Sequence, residues 1–178
     1  MTEEKALASD YVYKGHAVTV RKDTVRMADG RETVRDVVEH DECVAIVAVA
    51  PEGKILLVNQ YRYPVGKYLL EIPAGGIDGD ETPEQAVIRE MQEETGYKPE
   101  TVTKLGGFYS APGFCTEYLH LFLAEDLIEG RLYAEDTDSI TLVRMTPEEI
   151  PGLIRSGLIC DAKSIAGLLE WLDYRNSH

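Results

Sequence analysis

The segment "REMQEETG" places carboxylates at Glu90, Glu93 and Glu94, with Arg89 immediately before them and Glu81 further upstream. Grouped carboxylates of this kind either form a solvated helix face or gather a hard divalent cation, which takes oxygen ligands and bridges to phosphate. On a helix from Thr82 to Thr95, steps of ~100° per residue bring the three glutamates within an arc of roughly 100°. Their mutual repulsion, in the C-terminal half where the helix dipole also disfavours anions, calls for compensation. A cation supplies it, and Arg89, four residues before Glu93, supplies more by pairing with a carboxylate and holding its rotamer.

Positioning these side chains requires a helix with a defined start and stop. Thr82-Pro83-Glu84-Gln85 offers an N-cap, a proline at the first helical position and a capping box, and Gly96 offers the C-cap. Upstream, "YLLEIPAGG" reads as a short strand ending in a glycine loop whose backbone can approach a ligand closely. "CVAIVAVA" and "ILLVNQYRY", separated by "PEGK", read as a hairpin buried on both faces, the centre of the sheet. Further strands are expected near "VTKLGGFY", "YLHLFLAE" and "SITLVRM". Thr146-Pro147-Glu148-Glu149 repeats the capping chemistry before a short helix, and "DAKSIAGLLEWLDYR" is an amphipathic terminal helix. The N-terminal "YVYKGHAVTVRKDTVRMADGRETVRDVVEH" alternates β-branched and polar residues about Asp29-Gly30, as a hairpin does, and suits packing onto its own domain or a partner subunit. Hairpins predominate over βαβ units, so a mixed sheet with helices on its faces is expected.

The 178 residues suit a single domain, and a net charge of −14 distributed along the chain opposes nucleic acid and anionic membrane. A small phosphorylated substrate is compatible with that charge, because a bound cation and a few arginines reverse the potential locally. Cys43, Cys115 and Cys160 form neither a disulfide framework nor a CxxC pair, and the longest apolar run, Val44 to Pro51, is too short to span a bilayer. With no apolar signal core in "MTEEKALASD", the expected location is the cytoplasm. His16, His40 and His120 lack metal-ligand spacing and read as structural.

Gly75, Glu81, Arg89, Glu90, Glu93, Glu94 and Gly96, with Met91 and Tyr97 at the bulky positions, match G-x5-E-x7-R-E-U-x-E-E-x-G-U, the Nudix box. On this pattern the chain resembles the Nudix hydrolases, which cleave nucleoside diphosphates linked to another moiety using Mg²⁺ or Mn²⁺. The resemblance implies an α/β/α sandwich on a mixed β-sheet (Nudix fold) at 41–178, preceded by the N-terminal β-hairpin region at 1–40. It assigns Glu90 and Glu94 as core metal ligands and Glu93 as a further ligand or proton acceptor. Arg89 orients the carboxylates, Glu81 supports the loop, and Gly75 and Gly96 shape the motif.

"RDVVEH", "NQYRYP", "LLEIPAGGID" and "SAPG" extend the resemblance to the ADP-ribose pyrophosphatase branch. This implies metal ligation by the Ala74 carbonyl, phosphate contact by Arg62, Glu71 near the terminal ribose, and substrate-binding roles for Arg35, Pro112 and Gly113. It also implies a homodimer in which the N-terminal ribbon crosses to the partner, with Tyr11, Tyr13 or Val37 as candidates to flank the base. Where the branch carries a glutamate-rich loop supplying a general base, this chain has "AEDTDSI". Asp136 or Asp138 ranks ahead of Glu135 there, and Glu93 is the alternative. The expected reaction is hydrolysis of ADP-ribose to AMP and ribose 5-phosphate; the rivals are another nucleotide sugar such as GDP-mannose, and a non-catalytic nucleotide-binding module that regulates a partner.

Overall fold

The structure, a computed structural model, describes residues 3–134 and 137–177, leaving aside the side chain of Asp138. The chain forms two compact units, one of Met1–Glu42 with Tyr109–Tyr118, the other of Cys43–Phe108 with Leu119–His178.

The first unit carries a three-stranded antiparallel sheet of β1 (Lys5–Lys14), β2 (Thr19–Arg26) and β3 (Glu32–Glu39), in that order. The hairpin expected about Asp29-Gly30 is β2–β3, in register from Thr19↔Glu39 to Arg26↔Glu32. The alternation N-terminal to it is divided between two strands, because a turn with Gly15 N donating to Val18 O (2.9 Å) folds β1 back on β2. All of β1 is exposed, including Tyr11 and Tyr13. In the same unit Phe114 O accepts from Val38 N (2.7 Å), which ties the "SAPG" turn to β3.

The second unit is built on β4 (Cys43–Val49), every residue of which is buried except the half-buried Val49. Its neighbours are β5 (Ile55–Arg62), β6 (Lys67–Glu71) beside β5, β7 (Ala74–Gly76) beside β4, β8 (Tyr97–Tyr109), β9 (Tyr118–Glu129) and β10 (Thr141–Met145). The backbone order is β10-β5-β4-β9-β8, with β4 and β9 parallel and β10 antiparallel to β5, so the sheet is mixed.

Side-chain alternation along β4 divides the core between two layers, as period-2 geometry requires. Val44, Ile46 and Ala48 join Ala86 and Val87 of α1 (Pro83–Glu90), together with Met91. Ala45 and Val47 join Ile150 of α2 (Ile150–Ser156) and Leu168 and Trp171 of α3 (Ala162–Ser177). The result is the expected sandwich of helices on both faces.

One departure from the expected β4–β5 hairpin matters for the site. The two strands pair only at Ala48↔Leu56 and Val49↔Ile55. Beyond that point β4 takes β7 instead, with Ala45↔Ala74 and Ile46 N donating to Pro73 O (2.9 Å), while β5 pairs with β6. The strands splay because each turns to a segment of "YLLEIPAGG", and the splay draws the glycine loop into the sheet.

Candidate active site

α1 begins as its capping residues dictate. Thr82 N donates to Gln85 Oε1 (2.8 Å) and Gln85 N to Thr82 Oγ1 (3.3 Å), with Pro83 at the first helical position. Its end differs from a uniform α-helix. Met91–Thr95 form a π-turn, and Gly96 then closes it in the left-handed region at φ 80°. π-turns cost regular hydrogen bonding and occur mostly at functional sites. Here Thr95 Oγ1 donates to Met91 O (2.5 Å) and Tyr97 N donates to Thr95 Oγ1 (3.2 Å), so one buried hydroxyl serves two backbone groups of the turn.

Arg89 is the hub of the carboxylate cluster. Its Nε donates to Glu81 Oε1 (3.0 Å), its Nη1 to Glu90 Oε1 (2.6 Å) and Glu93 Oε2 (3.2 Å), and its Nη2 to Glu81 Oε2 (2.9 Å) and Gly76 O (2.8 Å). A planar guanidinium with five donors can serve this many acceptors where a lysine cannot. Glu81 also accepts from Asp78 N (3.2 Å), fastening the loop, and Arg89 holds its carboxyl below the usual range. The carboxylates in turn raise the Arg89 pKa, so its charge is permanent.

Glu90 lies over Gly75, where a Cβ would displace the carboxylate from its place on Arg89. Glu94 is buried, and Ala74 N donates to its Oε2 (3.1 Å). Burial first and the adjacent Glu90 charge second push the Glu94 carboxyl up to about 8, against the Ala74 amide, Arg62 and Lys163, which oppose. Glu90 is also raised, chiefly by burial, with Arg89 opposing. Two adjacent carboxylates that resist ionisation, in an all-oxygen donor set, fit a hard divalent cation, whose charge would offset the cost of ionising them. Glu90, Glu93 and Glu94 are the carboxylates of this cluster that could hold it.

A second charged group lies in the same unit. Arg62 donates from Nε to Glu71 Oε1 (3.0 Å) and from Nη2 to Glu71 Oε2 (2.8 Å), while Glu71 is buried. Lys163 also pairs with Glu71 and donates to Asp161 Oδ1 (3.0 Å). Sequence reading missed Lys163 and Asp161. The available signal was Asp161-Ala162-Lys163-Ser164 as a helix start, with Ser164 N on Asp161 Oδ1 at 3.0 Å, and that reads as an ordinary cap. Only the fold carries this cap to Glu71.

The remaining expected residues fall elsewhere. Arg35 lies on β3 of the first unit, bidentate with Glu4 at 2.6 and 3.1 Å, and Pro112 and Gly113 lie in that unit's Ala111–Cys115 turn. Glu135, Asp136 and the Asp138 side chain lie outside the described residues.

Residues 39–168 match the NUDIX domain family model. The chain belongs to the Nudix family. Residues 4–38 of this Nudix hydrolase match a second model, the nucleoside diphosphate sugar hydrolase N-terminal domain. It is 36% identical over 177 residues to an ADP-ribose pyrophosphatase of Bacillus subtilis (strain 168), covering 98% of this chain and 95% of that protein. A methanol dehydrogenase activator of Bacillus methanolicus is 34% identical over 165 residues, covering 92% and 89%. Among solved structures, one described as an ADP compounds hydrolase superposes with a TM-score of 0.91 at 21% identity, over 98% of this chain and 95% of that one, which establishes the shared fold.

Proposed function

We propose that this Nudix hydrolase cleaves the pyrophosphate of ADP-ribose to AMP and ribose 5-phosphate with Mg²⁺, Mn²⁺ being a substitute. The observation that carries the reading is the cluster in which Arg89 gathers Glu81, Glu90 and Glu93 beside the buried Glu94. The near full-length likeness to an ADP-ribose pyrophosphatase supports this substrate.

When bound, the cation would neutralise the diphosphate and lower the pKa of water. The chain's own groups do the rest. Arg89 fixes the rotamers of Glu90 and Glu93, and Ala74 N anchors Glu94, so the carboxylates are arranged before substrate arrives. Arg62 uses Nε and Nη2 on Glu71, which leaves Nη1 for a phosphate oxygen. Lys163 shares the buried Glu71 charge, so Arg62 can turn toward phosphate without stranding a carboxylate. The proton acceptor is assigned to Asp136 or Asp138, with Glu93 as the alternative. Arg35, Pro112 and Gly113 are assigned to substrate binding.

The reading includes a homodimer joined through the 1–40 ribbon, with the Nudix unit at 41–178. The fully exposed β1, presenting Leu7, Tyr11, Val12 and Tyr13, supports it, and multi-angle light scattering at the mass of one chain would refute it. A cytoplasmic location accords with three free cysteines. No helix among the described residues is long and apolar enough to cross a membrane.

The decisive experiment offers the purified chain ADP-ribose, GDP-mannose and other nucleotide sugars with Mg²⁺ and separates the products by ion exchange. AMP from ADP-ribose at the highest kcat/KM is expected; preference for GDP-mannose would move the substrate assignment. The likeness to a methanol dehydrogenase activator favours a second reading, a nucleotide-binding module that regulates an enzyme. Binding of ADP-ribose without turnover would select it.

A further inference from the structure

We propose that Ser164 is a positioning residue: from the first turn of α3 it holds the point where the chain passes from β6 to β7, and through that point it sets the backbone beneath Glu90 and Glu94. The inference rests on the proposal that these two glutamates hold the cation.

The splay of β4 and β5 creates the need for such a residue. β6 follows β5 as far as Val58↔Glu71, and β7 joins β4 from Ala45↔Ala74, so Ile72 and Pro73 cross between two ladders. Proline has no N–H, and Ile72 is fully buried, so its amide needs a partner from outside the two ladders. Ser164 supplies it. Ile72 N donates to Ser164 Oγ at 2.9 Å, and Ser164 is itself fully buried.

The start of α3 is fixed around this bond. Ser164 N donates to Asp161 Oδ1 (3.0 Å), and Lys163, the residue before Ser164, pairs with Glu71, the residue before Ile72. Two consecutive helix residues thus grip two consecutive residues of the crossing. At Gly167 the helix rests on Ile72, whose Cδ1 would stand 2.9 Å from a Cβ there. From Ile72 the contacts run on to the carboxylates: Pro73 O accepts from Ile46 N (2.9 Å), Ala74 N donates to Glu94 Oε2 (3.1 Å), and Glu90 lies over Gly75. In the other direction Glu71 carries Arg62 on two hydrogen bonds, at 2.8 and 3.0 Å. The stretch Glu71–Gly75 therefore joins the arginine assigned to phosphate with the glutamates assigned to metal, and Ser164 holds that stretch at Ile72.

The test compares full-length Ser164→Ala with the wild type and with Ile150→Ala. Alanine at 164 removes the hydroxyl and keeps the helix. Ile150, fully buried on α2 in the same core layer, loses packing without losing a bond to the crossing. Readouts are the urea midpoint, Mn²⁺ binding by electron paramagnetic resonance, kcat and KM for ADP-ribose with Mg²⁺, and hydrogen exchange of the Ile72 and Ala74 amides without metal. Groups that support metal ligands are worth about 10- to 100-fold, and Ser164 acts through intermediates, so Mn²⁺ affinity and kcat/KM should each fall by about tenfold in Ser164→Ala. Both amides should exchange faster in that variant. Ile150→Ala should keep wild-type Mn²⁺ affinity and kcat/KM while its urea midpoint falls at least as far. Unchanged Mn²⁺ affinity in Ser164→Ala, an equal loss of affinity in Ile150→Ala, or faster exchange at Ile72 without any change at Ala74 would overturn the assignment. Random-coil exchange of Ile72 in the wild type would overturn it too, whether or not Ser164→Ala folds. Were the wild type to bind Mn²⁺ and hydrolyse no ADP-ribose, the substrate reading would fail and the Mn²⁺ comparison would still decide the role of Ser164. Were it to bind no Mn²⁺, the metal reading would fail and Ala74 exchange would decide.

Discussion

Glu94 shows most directly how one residue's environment couples stability to function. Its carboxyl is raised from the ordinary range to about 8 by burial and by Glu90, so the folded chain holds a proton there that the unfolded chain releases. Folded-state binding of the extra proton means that the group's contribution to stability is complete below about pH 4.5 and is lost as pH rises toward about 8. Without divalent metal, the thermal midpoint should therefore fall across that window, and Mg²⁺ should restore it at pH 8; a flat profile in chelator would contradict the assignment. Glu94→Gln removes the buried ionisation. It should raise metal-free stability at pH 8 while lowering turnover by more than about 100-fold, since losses at groups merely supporting metal ligands already reach that size. Circular dichroism and product analysis of the same variant measure both. Lys163 poses a separate question. Lys163→Met leaves the buried Glu71 with Arg62 alone, and a loss of about 3 kcal/mol in urea unfolding is expected, the lower end for a broken buried pair because one partner remains.

At the scale of the element, the helix that presents the glutamates is an α-helix at its start and a π-turn at its end. Its start was legible in the sequence, because Thr82, Pro83 and Gln85 act through bonds to near neighbours, and so was the stop at Gly96. The π-turn was not legible. Glycine at a C-cap ends α and π turns alike, and in the structure the wider turn comes with Gln92 bonded to Gly130 and Leu132, 38 and 40 positions away by their numbers. Thr95→Val keeps the shape of the side chain and removes its hydroxyl from Met91 O and Tyr97 N. Leaving buried backbone groups unpaired costs about 1–3 kcal/mol, and a loss of that size in denaturant unfolding is expected, with weaker Mn²⁺ binding because the turn carries Glu94. The β4–β5 splay has the same character. Continuous apolar runs about "PEGK" predict two strands, but both "YLLE" and "PAGG" compete for their edges, and only the assembled sheet shows which strand each segment takes.

For the whole molecule, the net charge of −14 is a property of composition that acts on the fold through self-repulsion. Raising KCl from about 10 to about 150 mM shortens the screening length from about 30 to about 8 Å, so the thermal midpoint in chelator should rise with salt. An unchanged or falling midpoint would show that local pairs such as Arg26–Glu32 and Arg35–Glu4 outweigh the net charge. The same acidity makes the Arg62–Lys163 group distinctive, since it sets two cations next to buried Glu71 in an otherwise anionic chain.

The sequence by itself determined the fold class, the start and stop of the glutamate-bearing helix and the glutamate set, because each depends on periodicity, on caps satisfied within a few residues, or on a motif whose spacing is short compared with the chain. It did not determine the partners of Glu71, the π-turn, the third N-terminal strand or the pairing of Gln92 with Gly130. Each of these depends on residues far apart in sequence meeting across the sheet or folding back in a turn, and the types involved, a capping aspartate, a helix lysine, a half-buried glutamine and a glycine, have ordinary local uses. Only their meeting in the tertiary structure gives them different ones.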